Sequence, residues 1–127
     1  GLDVSAGSNA SGNESEDLTV GNLPSANDSF SAGGLTYEFV TTTGDVTTGS
    51  NVEVVLGTGG TAEDDTATNI AAAVTGQHTA GNTSLQATAG GAVVSLTSDL
   101  LGSGTVDFTP NADLTSSNVA AGTAAAD

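Results

Sequence analysis

Residues 61–77, TAEDDTATNIAAAVTGQ, form the one stretch of this chain whose apolar spacing marks a helix. Ala67, Ile70, Ala71 and Val74 recur at helical intervals and make one narrow apolar stripe. Thr61 followed three residues on by Asp64 predicts a capping box, and Glu63, Asp64 and Asp65 suit the positive end of the helix dipole. Gly76 is the expected stop, which places the helix at about 61–76. A stripe made mostly of alanine can lie close to a sheet but cannot form a core alone. The rest of the chain should therefore be strands.

The flanking sequence fits that expectation. Residues 35–40 (LTYEFV) alternate, with Leu35, Tyr37 and Phe39 on one face and Thr36, Glu38 and Val40 on the other. Gly33-Gly34 predicts a tight turn joining this strand to the segment around Phe30. Residues 51–56 (NVEVVL) give a strand with Val52, Val54 and Leu56 inward, and 57–60 (GTGG) lead into the helix. Beyond the helix, 83–89 and 92–97 flank Gly90-Gly91 as a hairpin. Residues 18–20, 105–109 and 119–126 are short strand candidates. Strands, one helix, then strands predict a strand-dominated α+β domain: a small antiparallel or mixed β-sheet or sandwich with one short helix packed on it.

At the N-terminus, Leu2, Val4 and Ala6 alternate with Asp3 and Ser5, and residues 7–17 (GSNASGNESED) read as a flexible spacer. Residues 1–17 thus form a strand and linker ahead of a single β-rich domain at 18–127. The leading strand has two readings. It pairs with its own sheet or frays, the commoner outcome, or it is a donor strand that completes a neighbouring subunit. In the second reading Leu2, Val4 and Ala6 are the subunit contacts.

Charge narrows the function. The 127 residues include 15 acidic side chains, one histidine and no lysine or arginine, a net charge of −15. Nucleic-acid binding needs cations to displace counterions from phosphate, so that class is excluded. Attraction to an anionic membrane surface fails for the same reason, and no stretch has the length of a membrane span. Cysteine is absent, so disulfides and thiolate metal sites are excluded. The chain opens at Gly1 without an initiator methionine or a signal peptide, which suggests a processed form or an excised piece. A trypsin-like protease finds no cleavage site, which suits exposure outside a cell.

The block from Phe30 to Phe108 resembles the IN-type module inserted in bacterial flagellins and hook-associated proteins, with related segments in phage tail and virion proteins. The likeness is carried by GGLTYEFV (33–40), TAEDDTATNIAAAV (61–74), SLQATAGGAVVSLTS (84–98) and TVDF (105–108). Two features depart from that family: Ala-Val stands where the helix usually carries Ile-Asn, and the heptad-bearing terminal helices that polymerise flagellin are missing. The resemblance implies a surface-exposed structural part of a filament or virion and transfers no catalytic residue.

Sites of chemistry are sparse. His78, the single histidine, lies in a polar stretch without a Gly-x-Ser-x-Gly elbow, and reads as a solvated loop residue. The Gly-rich 57–61 loop precedes three carboxylates and no lysine, so it reads as a connection and not as a phosphate cradle. The only metal candidates are two acidic runs, Glu14, Glu16 and Asp17, and Glu63, Asp64 and Asp65, as oxygen ligands for Ca²⁺. Neither has the spacing of a defined calcium loop, so a solvated acidic surface is the plainer reading and no cofactor is expected. Asn9, Asn13, Asn27 and Asn82 open glycosylation sequons in a chain rich in Asn, Ser and Thr. The expected function is that of a non-enzymatic extracellular or cell-surface filament subunit whose partners are copies of itself. A phage tail or capsid decoration protein is the alternative. A calcium- or carbohydrate-binding adhesin-like module is the third option.

Overall fold

In the computed structural model, which describes residues 13–101, 105–109, 111 and 113–120, seven strands and one helix form two sheets around a single core. In chain order these are β1 (Asn13–Val20), β2 (Ser29–Ala32), β3 (Leu35–Val40), β4 (Val52–Val55), α1 (Ala62–Thr79), β5 (Leu85–Gly90), β6 (Val93–Leu101) and β7 (Leu114–Ala120). The first sheet has the order β5-β6-β1-β7 and is antiparallel throughout. The second has the order β2-β3-β4, with β3 and β4 parallel. The domain is α+β and strand-dominated, as expected.

Both glycine-marked hairpins form. Gly33 and Gly34 have φ of +60° and +84°, the two positive values that a type I′ turn demands. The second hairpin turns one residue later than expected, at Gly91-Ala92, with φ +60° at Gly91. Strand β1 begins at Asn13, so residues 13–17 are not spacer but the first half of a central strand. Glu14, Leu18 and Val20 are buried along it, and Leu18 lies opposite Val94 in the sheet. Composition hides this strand because its core-facing positions include a glutamate. Residues 105–109 are not a strand either: Val106 is buried, and Thr109 makes an isolated bridge to Ser31 of β2. The last strand ends at Ala120, and the expected continuation to 126 lies outside the described residues.

The helix buries Ala62, Thr66, Ala67, Ile70, Ala71 and Val74, which contains the expected stripe. It packs chiefly on β5 and also reaches β4, so it bridges the two sheets and does not sit on one alone. The helix starts after Thr61, as expected, but without the capping box, and it runs past the expected stop. No side chain caps the helix start; the Thr61 hydroxyl donates to the Asp65 carboxylate at 3.1 Å instead. Gly76 lies within α1, which runs to Thr79. Its end is a Schellman motif with Gly81 at φ +82°: the Gly81 amide donates to the His78 carbonyl and the Asn82 amide to that of Gln77. Gly76 has helical neighbours on both sides and no left-handed demand, whereas Gly81 supplies the reversal.

The sheets meet at the Gly33 turn. Its amide donates to the Val106 carbonyl at 2.7 Å, and its carbonyl accepts from the Thr83 hydroxyl at 3.2 Å. A methyl at Gly33 would collide with that hydroxyl and approach the Leu85 side chain to 2.8 Å, whereas one at Gly34 would meet nothing. Gly33→Ala is expected to cost about 3 kcal/mol, and Gly34→Ala only about 1 kcal/mol of left-handed strain; equal losses in urea unfolding would show that this junction is not tight.

Deeper in the core, Tyr37 stacks on Phe30 with ring centroids 5.0 Å apart and is fully buried, and its hydroxyl finds no hydrogen-bond partner among the described residues. Burial pushes that phenol up to about 12. Since an orphaned buried donor costs free energy that a phenylalanine would not, Tyr37→Phe is expected to stabilise by about 1 kcal/mol. A lower melting temperature for this variant would contradict the assignment.

Candidate functional site

The most elaborate polar constellation centres on Glu38, which alternation alone places on the open side of β3. It is 1% exposed. Parallel pairing of β3 with β4 requires a crossover, and residues 41–51 make it without a helix, so this loop needs acceptors for its backbone amides. Glu38 supplies them. Its Oε2 accepts from the Thr47 amide at 2.9 Å, the Thr47 hydroxyl at 2.8 Å and the Asn27 side-chain amide at 2.8 Å. Its Oε1 accepts from the Asn51 side chain at 3.0 Å and the Thr48 amide at 3.4 Å. Glu53, beside Glu38 on β4, takes the Gly44 amide at 2.9 Å and fixes the far end of the loop. Asn27 reaches in from a left-handed backbone, φ +71°, which asparagine tolerates better than most residues.

The Thr47 amide foremost, with the Asn27, Thr47 and Asn51 side chains, holds the Glu38 carboxyl down at about 2 against the opposing effect of burial. A carboxylate whose lone pairs are filled by five donors has no capacity left to take a substrate proton near neutral pH. Its role is to order the loop.

A second cluster joins α1 to β6. His78 is in the last helical turn and not in a loop, and its Nε2 lies 2.5 Å from Asp99 Oδ2. Gln86 donates to the other Asp99 oxygen at 2.5 Å. The His78 contact, then Gln86, keeps the Asp99 carboxyl below its usual range. With the two side chains 30% and 42% exposed, solvent screens the pair, and it acts as a clasp between helix end and sheet. Nearby, an open depression of about 260 Å³ on the outer face of the β5–β6 hairpin is lined by Gln86, Ala87, Thr88, Ser95 and Thr97, none of them ionisable.

The acidic candidates do not gather. Among the described residues, no three His, Asp or Glu side chains converge as a metal site would require. Glu14 is buried and accepts the Val106 amide at 2.7 Å, while Asp17 accepts the Ser95 hydroxyl at 2.8 Å. Glu63, Asp64 and Asp65 occupy the first turn of α1, as expected. Of the sequon asparagines, Asn13 donates to the Ser98 carbonyl, Asn27 is committed to Glu38, and Asn82 donates to the Gln77 side chain on the surface. Asn9, Leu2, Val4 and Ala6 lie outside the described residues.

The sheet edges differ from one another. On β5 the Ala87 carbonyl accepts from Thr75 of the helix, and on β4 the Val55 carbonyl accepts from Asn69. On β2, Ser31 exchanges two hydrogen bonds with Thr109, at 3.1 and 2.8 Å. Among the described residues, no strand pairs with the outer edge of β7. Sequence reasoning missed both Glu38 and this edge. The run of Thr, Asn and Gly after β3 is a detectable signal for a loop needing an acceptor, whereas an edge is a property of topology. Comparison with known protein families, curated proteins and solved structures finds no match.

The linkage for Glu38 has a definite sign. Its carboxyl is lower in the folded chain, about 2, than its ordinary 4.5, so its stabilising contribution is complete above pH 4.5 and is lost as pH falls toward 2. Asp99 acts in the same sense. Glu38→Gln, which sets a donor-bearing amide among five donors, is expected to lower the melting temperature at pH 7 and to flatten the fall in stability between pH 4.5 and 2. An unchanged acid slope would show that Glu38 does not carry it.

Proposed function

We propose that this protein is a structural subunit or surface domain of an extracellular filament or appendage, and that copies associate by extending one another's sheets. The observation that carries the reading is the outer edge of β7, with which no described strand pairs and where, among the described residues, the Asn111 carbonyl takes the Leu114 amide at the first position. Main-chain donors and acceptors along such an edge are a template for another strand. Leu100 and Leu101 add an apolar patch, 54% and 52% exposed, where β6 runs beside the start of β1. Asn13, the first described residue, lies opposite Leu101 there. Ahead of it in the sequence, Leu2, Val4 and Ala6 carry the apolar alternation of a donor strand. Among the described residues, no helix is long and apolar enough to cross a membrane.

Each copy carries a charge of −15, so association must overcome repulsion that salt screens over about 8 Å at physiological ionic strength. Sedimentation is expected to show assemblies that grow as salt is raised from low to physiological concentration. Deletion of residues 1–6 is expected to abolish the filaments seen by electron microscopy. Intact filaments from the truncated chain, or a full-length chain that remains a monomer at high concentration, would overturn the proposal.

A further inference from the structure

Resting on the reading just given, we infer that the outer edge of β7 is the acceptor, and that it takes residues 2–6 of a second copy in antiparallel register. Edge strands in stable monomers are blunted by charged side chains, prolines, bulges or a covering segment. The seven residues of β7, LTSSNVA, contain no charge, no proline and no glycine. In a chain with 15 acidic residues, β7 also presents no carboxylate of its own to an approaching strand.

Register and charge select the occupant. The β7 positions level with core-facing Val20 and Leu18 are Leu114 and Ser116, and Asn118 is level with Glu16. A second β7 laid on this edge would bring the same polar sequence to the core side of the new strand. Residues 2–6 instead bring Leu2, Val4 and Ala6 at alternate positions, enough to continue the apolar layer past Leu114, with only Asp3 charged.

Connectivity selects a second copy over the chain's own segment. Strand β1 starts beside the end of β7, with Ser15 opposite Ala120. The six residues 7–12 span at most about 20 Å, enough to turn back across β7 but not to travel the length of the sheet. A segment returning this way runs opposite to β1 and therefore parallel to β7, because β1 and β7 are antiparallel. A second copy has no such tether and can adopt the antiparallel pairing, which is slightly more stable per residue.

The native chain has no cysteine, so single introduced thiols report contacts cleanly. Asp3→Cys mixed with Val119→Cys, and Ser5→Cys mixed with Ser117→Cys, are expected to give disulfide-linked heterodimers under mild oxidation, each variant first being shown to melt like the parent. An excess of a peptide of residues 1–12 is expected to abolish both products. Linkage of Asp3→Cys to Ser117→Cys and of Ser5→Cys to Val119→Cys instead would overturn the antiparallel assignment. A Ser117→Cys homodimer linked through β7 would replace the occupant with a second β7 and overturn the inference. Assembly of the parent with no heterodimer from any pair, or with products that resist the peptide, would overturn the β7 assignment while leaving sheet extension standing. A parent that never leaves the monomer would overturn both.

Discussion

A carboxylate buried in a chain with no lysine or arginine must be solvated by dipoles, and Glu38 is where this constraint shapes the fold most. Elsewhere a buried glutamate would find a guanidinium; here it finds two backbone amides, two side-chain amides and a hydroxyl. The same solution recurs on a smaller scale. Glu14 takes a backbone amide across from Val106, Glu53 takes that of Gly44, Asp28 takes that of Ser25, and Asp17 takes the Ser95 hydroxyl. Glu14 and Glu53 tie loop segments to strands, whereas Asp28 closes a local turn and Asp17 reinforces the β1–β6 pairing. Acidic residues therefore act here as connectors between loops and strands, beyond any part they play in solubility.

The helix works in a complementary way. Its apolar stripe is shallow, which lets it approach both sheets closely, and its polar flank supplies Thr75 and Asn69 to carbonyls on β5 and β4. Thr66 closes the strand-to-helix turn by accepting the Gly57 amide at 2.8 Å. Gly57 has no room for a side chain against Ala62 and Asp65, so that connection is fixed by close approach. The result is a domain whose β4 and β5 edges are held from within by a single helix, while among the described residues no strand pairs with the far edge of the larger sheet.

Much of this architecture was legible in sequence, and its limits follow from physics. The helix core, both glycine hairpins and the strand at 35–40 announce themselves through local periodicity and turn chemistry. Strand β1 does not, because its buried positions are Glu14, Leu18 and Val20, and the polar composition of its first half resembles a spacer until a partner strand is known. The parallel pairing of β3 and β4 is likewise invisible, since it is set by a loop whose anchor, Glu38, lies outside it in sequence. The helix end was misread because Gly76 precedes Gly81, and only backbone angles separate a tolerated glycine from a required one. Of the candidate site residues, Glu63, Asp64 and Asp65 stand at the helix start as expected, whereas Glu14, Glu16 and Asp17 lie in β1 and not in a spacer, and β1 directs Glu14 and Asp17 to different partners.

The position of β1 also bears on how the protein is made. The first described strand lies between β6 and β7, so the larger sheet joins Asn13–Val20 to segments some eighty to one hundred positions later in the chain. Such distant contacts impose a large loop-closure entropy before they return any stabilisation, which places folding toward the slow, millisecond-to-second end for small domains. During synthesis, β2, β3, β4 and α1 can gather while the nascent β1 still waits. The larger sheet is completed only once β7 has been synthesised, and β7 is the last of the described elements to emerge.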